Sequence, residues 1–176
     1  MRARDIMTRD PQCCRREDTV RRAAEIMRDK DCGVIPVVDD SRRVIGIVTD
    51  RDLALRVIAA GKSADTRLNE VMTAGAECCS ADDDLRDVEH KMAEAQIRRI
   101  PICDAGGRVL GIISQADIAR AAGLDSEVSE QEIALVLEQI SEPAHRSRAR
   151  ANIAATQAEP RTNGGVTEAE APQAQL

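Results

Sequence analysis

The sequence predicts a mixed α/β (α+β) fold: two β-α-β-β-α repeats packed about a pseudo-twofold axis, followed by one appended helix and a disordered tail. Three observations carry this prediction. Residues 5–54 align with 70–119 at a constant offset of 65, without a gap and with 16 of 50 positions identical, for which duplication is the economical explanation. Each copy holds two amphipathic helical stretches on either side of a pair of β-rich runs. A single unit of roughly 50–60 residues buries too little surface to be comfortable alone, so the copies should pack sheet to sheet. The expected organisation is repeat 1 over 1–62, repeat 2 over 63–124, a helix over 125–143 and a tail over 144–176.

In chain order, each repeat opens on a short extended piece at a cysteine pair, Cys13-Cys14 or Cys78-Cys79. Acidic residues that can cap a helix follow, Asp18 in the first copy and Asp83 or Asp84 in the second. Val20, Ala23, Ala24 and Met27 fall at helical spacing, as do Leu85, Val88 and Met92, so one face of each helix is apolar. Val34–Val38 and Val44–Val48 flank the turn formers Asp39-Asp40-Ser41 and read as a hairpin, matched by 100–103 and 109–113 around Asp104-Ala105-Gly106-Gly107. Proline cannot donate to a ladder, so Pro36 and Pro101 are expected at strand starts or on an edge. A second helix runs from about Asp50 to Ala60 and its counterpart from about Gln115 to Ala122, with 61–67 as the link. Beyond Gly123, Ser129 and Glu132 form a capping box for a helix with Ile133, Val136, Leu137 and Ile140 on one face, stopped by Pro143. The residues from Ala144 onward lack bulky apolar side chains and read as disordered.

Charge and composition narrow the function. Residues 1–124 carry 21 basic and 22 acidic side chains, and the chain has no Phe, Tyr or Trp. A neutral body without aromatic rings argues against nucleic-acid binding, which draws on phosphate neutralisation and base stacking. The longest apolar run, Val34–Val38, is too short to span a bilayer. With no secretion signal the expected location is cytoplasmic, and the six cysteines are expected to be reduced, small buried hydrophobes.

The stretch Gly46-Ile47-Val48-Thr49-Asp50-Arg51-Asp52 and its echo Gly111-Ile112-Ile113-Ser114-Gln115-Ala116-Asp117 are where chemistry concentrates. Thr-x-x-Asp at a strand-to-helix junction is a helix cap. The same junction offers free backbone N–H groups to an anion, and its carboxylate can accept both hydrogen bonds of a ribose cis-diol.

Tandem β-α-β-β-α units carrying Asp-Ile-Met-Thr, Ile-Pro-Val-Val-Asp and Gly-Ile-Val-Thr-Asp-Arg-Asp resemble a pair of cystathionine-beta-synthase (CBS) domains over residues 4 to about 123. The second copy is similar to stand-alone bacterial proteins of the hypoxic response type. The resemblance implies a regulatory module, commonly a homodimer, whose clefts bind AMP, ADP, ATP or another adenosyl compound and report nucleotide state to a separate regulated protein. No prosthetic group is implied. By the same resemblance Asp52 with Thr49, and Asp117 with Ser114, would hold ribose or phosphate, and Arg51, Arg98 and Arg99 would meet the phosphates. Val34, Ile35, Pro36, Ile100 and Pro101, with the surroundings of Cys13 and Cys78, would line the adenine. Arg51 is matched by Ala116, and Arg98 and Arg99 by Gly33 and Val34, so the two clefts are expected to differ in affinity.

Two other readings stand beside this one. The module could be a structural dimer with empty clefts, or its cysteines could form a redox or metal switch. Against the latter, adjacent strand residues point to opposite faces, and neither Cys-x-x-Cys nor a Cys/His spacing is present. With His90 inside a predicted helix and His145 in the tail, no nucleophile–base constellation can be assembled, so the chain is expected not to be an enzyme.

Overall fold

The computed structural model describes residues 1–122 together with 134, 138 and 141, and the chain divides into units 1–142 and 143–176. The expected capping box at Ser129 and Glu132, the apolar face that follows it and the tail lie outside the described residues.

The first unit contains α1 (Ala3–Ile6), β1 (Thr8–Arg9), β2 (Cys14–Arg15), α2 (Val20–Asp29), β3 (Val34–Val38), β4 (Val44–Thr49) and α3 (Asp50–Asp52). A second set follows: β5 (Thr73–Ala74), β6 (Cys79–Ser80), α4 (Leu85–Glu94), β7 (Arg99–Cys103), β8 (Val109–Ser114) and α5 (Gln115–Ala122). The fold is therefore the mixed α+β duplication that the sequence predicts, with the helix-capped hairpin present twice.

The helix starts differ in one residue from expectation. Thr19, not Asp18, caps α2, its hydroxyl accepting from Arg22 N at 3.2 Å. Asp18 is engaged one turn earlier, accepting from Arg15 N at 2.7 Å, just as Asp83 accepts from Ser80 N at 2.8 Å. In the second copy Asp84 caps α4 through Arg86 N. The buried face of α2 is Val20, Ala23, Ile26 and Met27. Ala24, expected inside, is exposed, because the stripe drifts with the 3.6-residue period and Ile26 fills the core.

Pro36 and Pro101 also depart from expectation. Each sits mid-strand, Pro36 opposite Ile47 and Pro101 opposite Ile112, in strands with a neighbour on both sides. The ladder tolerates them because the parallel neighbours are short: β2 pairs only with Val37 and Val38, and β6 only with Ile102 and Cys103. The side of the strand where the missing N–H would point has no partner at the proline.

Sheet topology carries the feature that the linear repeat conceals. The sheets run β2-β3-β4-β5 and β1-β8-β7-β6. Thus β1, at the head of repeat 1, pairs with β8 of repeat 2 (Thr8↔Ile112, Arg9↔Gly111), while β5, at the head of repeat 2, pairs with β4 of repeat 1 (Thr73↔Ile47, Ala74↔Gly46). All four pairings are related by the offset of 65. Bridges Arg2↔Asp84 and Thr19↔Arg67 obey the same relation, and Arg43↔Arg108 closes on itself, joining the two hairpin turns near the pseudo-twofold axis. The leading segments have been exchanged. Positive φ recurs at matched positions as well, Asp10 with Gly75, Asp31 with Gln96 and Arg42 with Gly107.

Each core is completed by the exchanged segment of the other repeat. Cys14, Ile35, Val37, Val48 and Leu53 cluster with Leu68 and Val71, and Cys79, Ile100, Ile102, Ile113 and Ile118 cluster with Ala3. The exchanged segments pass over Gly46 and Gly111, and a Cβ would not fit at either. At Gly46 it would stand 2.6 Å from Thr73 O, and at Gly111 2.6 Å from Met7 Sδ and 2.9 Å from Thr8 O. The Gly111→Ala substitution is expected to lower unfolding free energy by about 1–3 kcal/mol, as overpacking does, read as a lower urea midpoint. An unchanged midpoint would show that the exchanged strand is free to move away.

Candidate functional site

Both strand-to-helix turns form reciprocal caps. Thr49 N donates to Asp52 Oδ2 at 2.9 Å, Thr49 Oγ1 donates to the same oxygen at 2.8 Å, and Asp52 N donates back to Oγ1 at 3.1 Å. Ser114 and Asp117 repeat this at 2.8, 2.6 and 3.3 Å. In each turn the second carboxylate oxygen meets an arginine: Asp52 Oδ1 lies 3.3 Å from Arg56 Nε, and Asp117 Oδ1 accepts from Arg120 Nη2. The capping role is real in both copies. Since Oδ1 is not used for capping, it leaves a carboxylate oxygen at the cleft for a further donor.

The helices behind the turns differ. After α3 the chain tightens into a wide turn over Leu53–Ile58, with Ala59 N donating to Ala54 O and Lys62 N to Val57 O across five residues, whereas α5 is regular. In this arrangement Arg56 reaches both Asp52 and, through Nη1 at 2.8 Å, Val71 O. Its guanidinium is held by the protein itself.

A cleft of about 460 Å³ opens at the Ser114–Asp117 turn. Exchange builds it from three pieces: Arg9, Asp10 and Pro11 from the leading segment, Lys30, Cys32 and Val34 from the α2–β3 connection, and Arg99, Ile112, Ser114, Asp117 and Arg120 from repeat 2. Its polar groups are Arg9, Lys30, Arg99 and Arg120 against Asp10, Asp31 and Asp117, and its apolar surface comes from Pro11, Val34 and Ile112. The side chains of Lys30 and Arg99 make no hydrogen bond or ion pair with a described residue. Unpaired cations beside a helix N-terminus are positioned for an anion. Gly33 makes room for one of them, since a Cβ there would come within 3.2 Å of Arg99 Nη2 and 2.7 Å of Asp50 Oδ2.

The matched positions around the Thr49–Asp52 turn carry a different charge. Arg9, Lys30, Arg99 and Arg120 correspond to Ala74, Ala95, Val34 and Leu55. Four basic positions become four apolar ones. Glu77 replaces Gln12 there, and Arg98 replaces Gly33. Geometry is shared by the two turns, but electrostatic attraction for an anion is not.

Of the residues singled out from sequence, Val34, Arg99, Ser114 and Asp117 meet in the 460 Å³ cleft, and Arg98, Arg99 and Ser114 also line an adjoining cavity of about 490 Å³ with Asp50 and Gln115. Gln115 Nε2 donates there to Ser141 Oγ at 2.7 Å. Thr49 and Asp52 form the other turn, and Arg51 is exposed on α3. Ile35 and Ile100 are fully buried in the two cores, and Pro36 and Pro101 are buried beside them, so these four reach a cleft through backbone alone. Sequence reasoning missed Arg9, Lys30, Cys32, Ile112 and Arg120. Arg9 and Lys30 could be found only by knowing that the leading segments exchange, while the Asp-x-x-Arg spacing of Asp117 and Arg120 was visible.

All six cysteines are free thiols. Burial pushes Cys14 up to about 12 and Cys79 up to about 11, and burial also raises Cys13. Those three thiols stay protonated near neutral pH, which disfavours metal ligation by either vicinal pair, whereas Cys78 is lowered, chiefly by hydrogen bonding from Cys103. Among the described residues no three His, Cys, Asp or Glu side chains are placed to share a metal ion, and no helix is long and apolar enough to cross a membrane.

A duplicated β-α-β-β-α unit with a capped strand-to-helix turn in each copy defines a tandem-repeat module. The family model for the CBS domain matches residues 3–59 and 68–123, and the chain belongs to the CBS domain family. It is similar to the uncharacterised protein YlbB of Bacillus subtilis, 38% identical over 135 residues that cover 72% of this chain and 90% of the relative. Hypoxic response protein 1 of Mycobacterium tuberculosis is 34% identical over 119 residues, covering 67% of this chain and 82% of that protein. Its solved structure, described with two coordinated zinc ions, superposes with a TM-score of 0.63 over 68% of this chain and 98% of that one, at 34% identity. The CBS domain pair of protein MJ0100, in complex with 5′-methylthioadenosine and S-adenosyl-L-methionine, gives 0.65 at 28% identity, covering 70% of this chain and 96% of that one. CBSX2 in complex with AMP gives 0.61 at 25% identity, again covering 70% and 96%.

Proposed function

We propose that this chain is a regulatory module that takes an adenosyl nucleotide in the Ser114–Asp117 cleft and reports its occupancy to a partner protein. The observation that carries the reading is the set of basic side chains around that turn, with Lys30 and Arg99 lacking any described counter-charge. In this reading Asp117 Oδ1, which now meets Arg120, accepts from a ribose diol. Arg99 and Lys30 serve the phosphate, and Val34, Pro11 and Ile112 cover the base without an aromatic ring. Arg98 lines the adjoining cavity and takes a longer phosphate chain. AMP, methylthioadenosine and S-adenosylmethionine in related CBS pairs support an adenosyl ligand. The Thr49–Asp52 cleft, with Arg51 turned outward and Arg56 tied to Val71, is the weaker of the two. Coupling follows from linkage: a ligand bridging the repeats favours one arrangement of the sheet pair, and a partner that prefers that arrangement responds.

A thermal-shift series with AMP, ADP, ATP, S-adenosylmethionine and NAD tests this, because a ligand of the folded state adds about 2.7 kcal/mol at a hundredfold excess over Kd. At least one adenosyl compound should raise Tm. Arg99→Ala should keep the ligand-free Tm and weaken the response by about tenfold in affinity, the worth of one charge-assisted hydrogen bond. Equal responses from wild type and Arg99→Ala would contradict the placement.

An exposed apolar face supports a homodimer. Leu55 and Ile58 are 54% and 77% exposed, beside a groove of about 590 Å³ lined by Val20, Ala24, Leu53 and Val57. A second copy is the occupant proposed here. Ile58→Asp should convert a dimer to a monomer in sedimentation velocity, and a monomeric wild type would remove this part of the proposal.

A further inference from the structure

Duplication supplies an internal control for the cysteines. Cys13 and Cys78 occupy matched positions ahead of the short strands β2 and β6, and each thiol donates to a carbonyl two residues back, Pro11 O at 3.3 Å and Ala76 O at 3.6 Å. What differs is the residue across the strand pair. Val38 ends β3, whereas Cys103 ends β7, and Ser80, two residues on from Cys78, is the Cα partner of Cys103. Cys78 and Cys103 thus lie on one face of adjacent strands, and the pair shifts as a thiol donor and its acceptor would, Cys78 lowered and Cys103 raised.

We propose that Cys78 and Cys103 are an oxidation site, a thiol pair that hydrogen peroxide converts to an intrachain disulfide tying β6 to β7. The inference stands apart from the nucleotide reading.

The surroundings support each step. Cys78 is half-buried and the other two cysteines of this copy are buried, so peroxide meets Cys78 first. The hydrogen bond from Cys103 lowers the Cys78 pKa against the effect of burial, and the Lys91 ammonium, whose Nζ sits on Cys78 O at 3.0 Å, adds to it. Cys13 has Val38 in place of the Cys103 thiol, and burial raises it in spite of the nearby Arg42 guanidinium. The Cys78 thiolate attacks one peroxide oxygen, the O–O bond breaks, and a sulfenic acid forms while the departing hydroxide takes from solvent the proton that Cys78 had given up and becomes water. Cys103 then attacks the sulfenic sulfur, the S–O bond breaks, and the hydroxyl leaves with the Cys103 proton as the second water. Two thiols are oxidised by two electrons and one peroxide is reduced. The pKa of Cys103 is held up first by its bond to Cys78, so that restraint is relieved once Cys78 has lost its charge. Pro11 and Gln12, which match Ala76 and Glu77 just ahead of Cys78, line the Ser114–Asp117 cleft.

The test treats the reduced full chain with hydrogen peroxide, alkylates remaining thiols in denaturant, and maps peptides by mass spectrometry. The expected result is loss of two of the six free thiols, a linked peptide joining Cys78 to Cys103, and full recovery with dithiothreitol. Cys103→Val copies the natural Val38 arrangement and should fold, yet form no bridge and slow alkylation of native Cys78. In Cys78→Ser the five other thiols should survive. Six intact thiols in the treated wild type, a bridge between any other pair, or unchanged Cys78 reactivity in Cys103→Val would each overturn the proposal.

Discussion

The backbone crossing at Gly46 and Gly111 is the constraint on which this architecture depends. Each glycine lets an exchanged strand lie so close that even a methyl group would collide with a carbonyl oxygen, 2.6 Å from Thr73 O in one copy and 2.9 Å from Thr8 O in the other. The exchange places β1 and β5 at the edges of the opposite sheets, so neither sheet keeps all its strands within one repeat. Two marginal units thereby become mutually dependent, and the repeat relation fixes both crossings. The clefts follow from this. The Ser114–Asp117 cleft takes its wall from a segment more than a hundred residues away in sequence, Arg9 to Pro11.

On this symmetric scaffold the charges are not symmetric. Backbone devices repeat closely: the capped turns, the positive-φ positions, the bulge after Val37 and after Ile102. The basic side chains around the turns do not repeat, and the Ser114–Asp117 cleft gathers them where the matched positions hold alanine, valine and leucine. The wide helical turn over Leu53–Ile58 adds to the difference by pinning Arg56 between Asp52 and Val71. A duplicated frame has preserved what folding needs in both copies while differing in what binding needs.

Much of the fold was legible because it is local. Gapless repetition, helical stripes and the hairpin turn around Asp39 all act over a few residues, and the structure holds them. Errors arose where two local solutions compete. Asp18 and Thr19 are both good caps, and Asp18 was taken by the preceding turn. Pro36 looked like an edge residue, and it is interior to its strand because the neighbouring strand stops short of it. Segment exchange was not legible at all, since two- and three-dimensional partners of β1 leave no periodic mark in so short a strand. For the site, the turn pairs Thr49 with Asp52 and Ser114 with Asp117 were visible as spacing, and Arg99 as an unmatched basic residue. Arg9 and Lys30 were not, because only the exchange brings them to Asp117. Ile35 and Ile100 were indistinguishable from core in the sequence, and they are core.

The claim at the centre of this account is that symmetry of backbone and asymmetry of charge give one chain two unequal clefts. Titration calorimetry of the full chain with the adenosyl compound that most raises Tm tests it most directly. One tight site per chain, followed by a second that is much weaker or absent, is the predicted result. Two identical and independent sites per chain would contradict it.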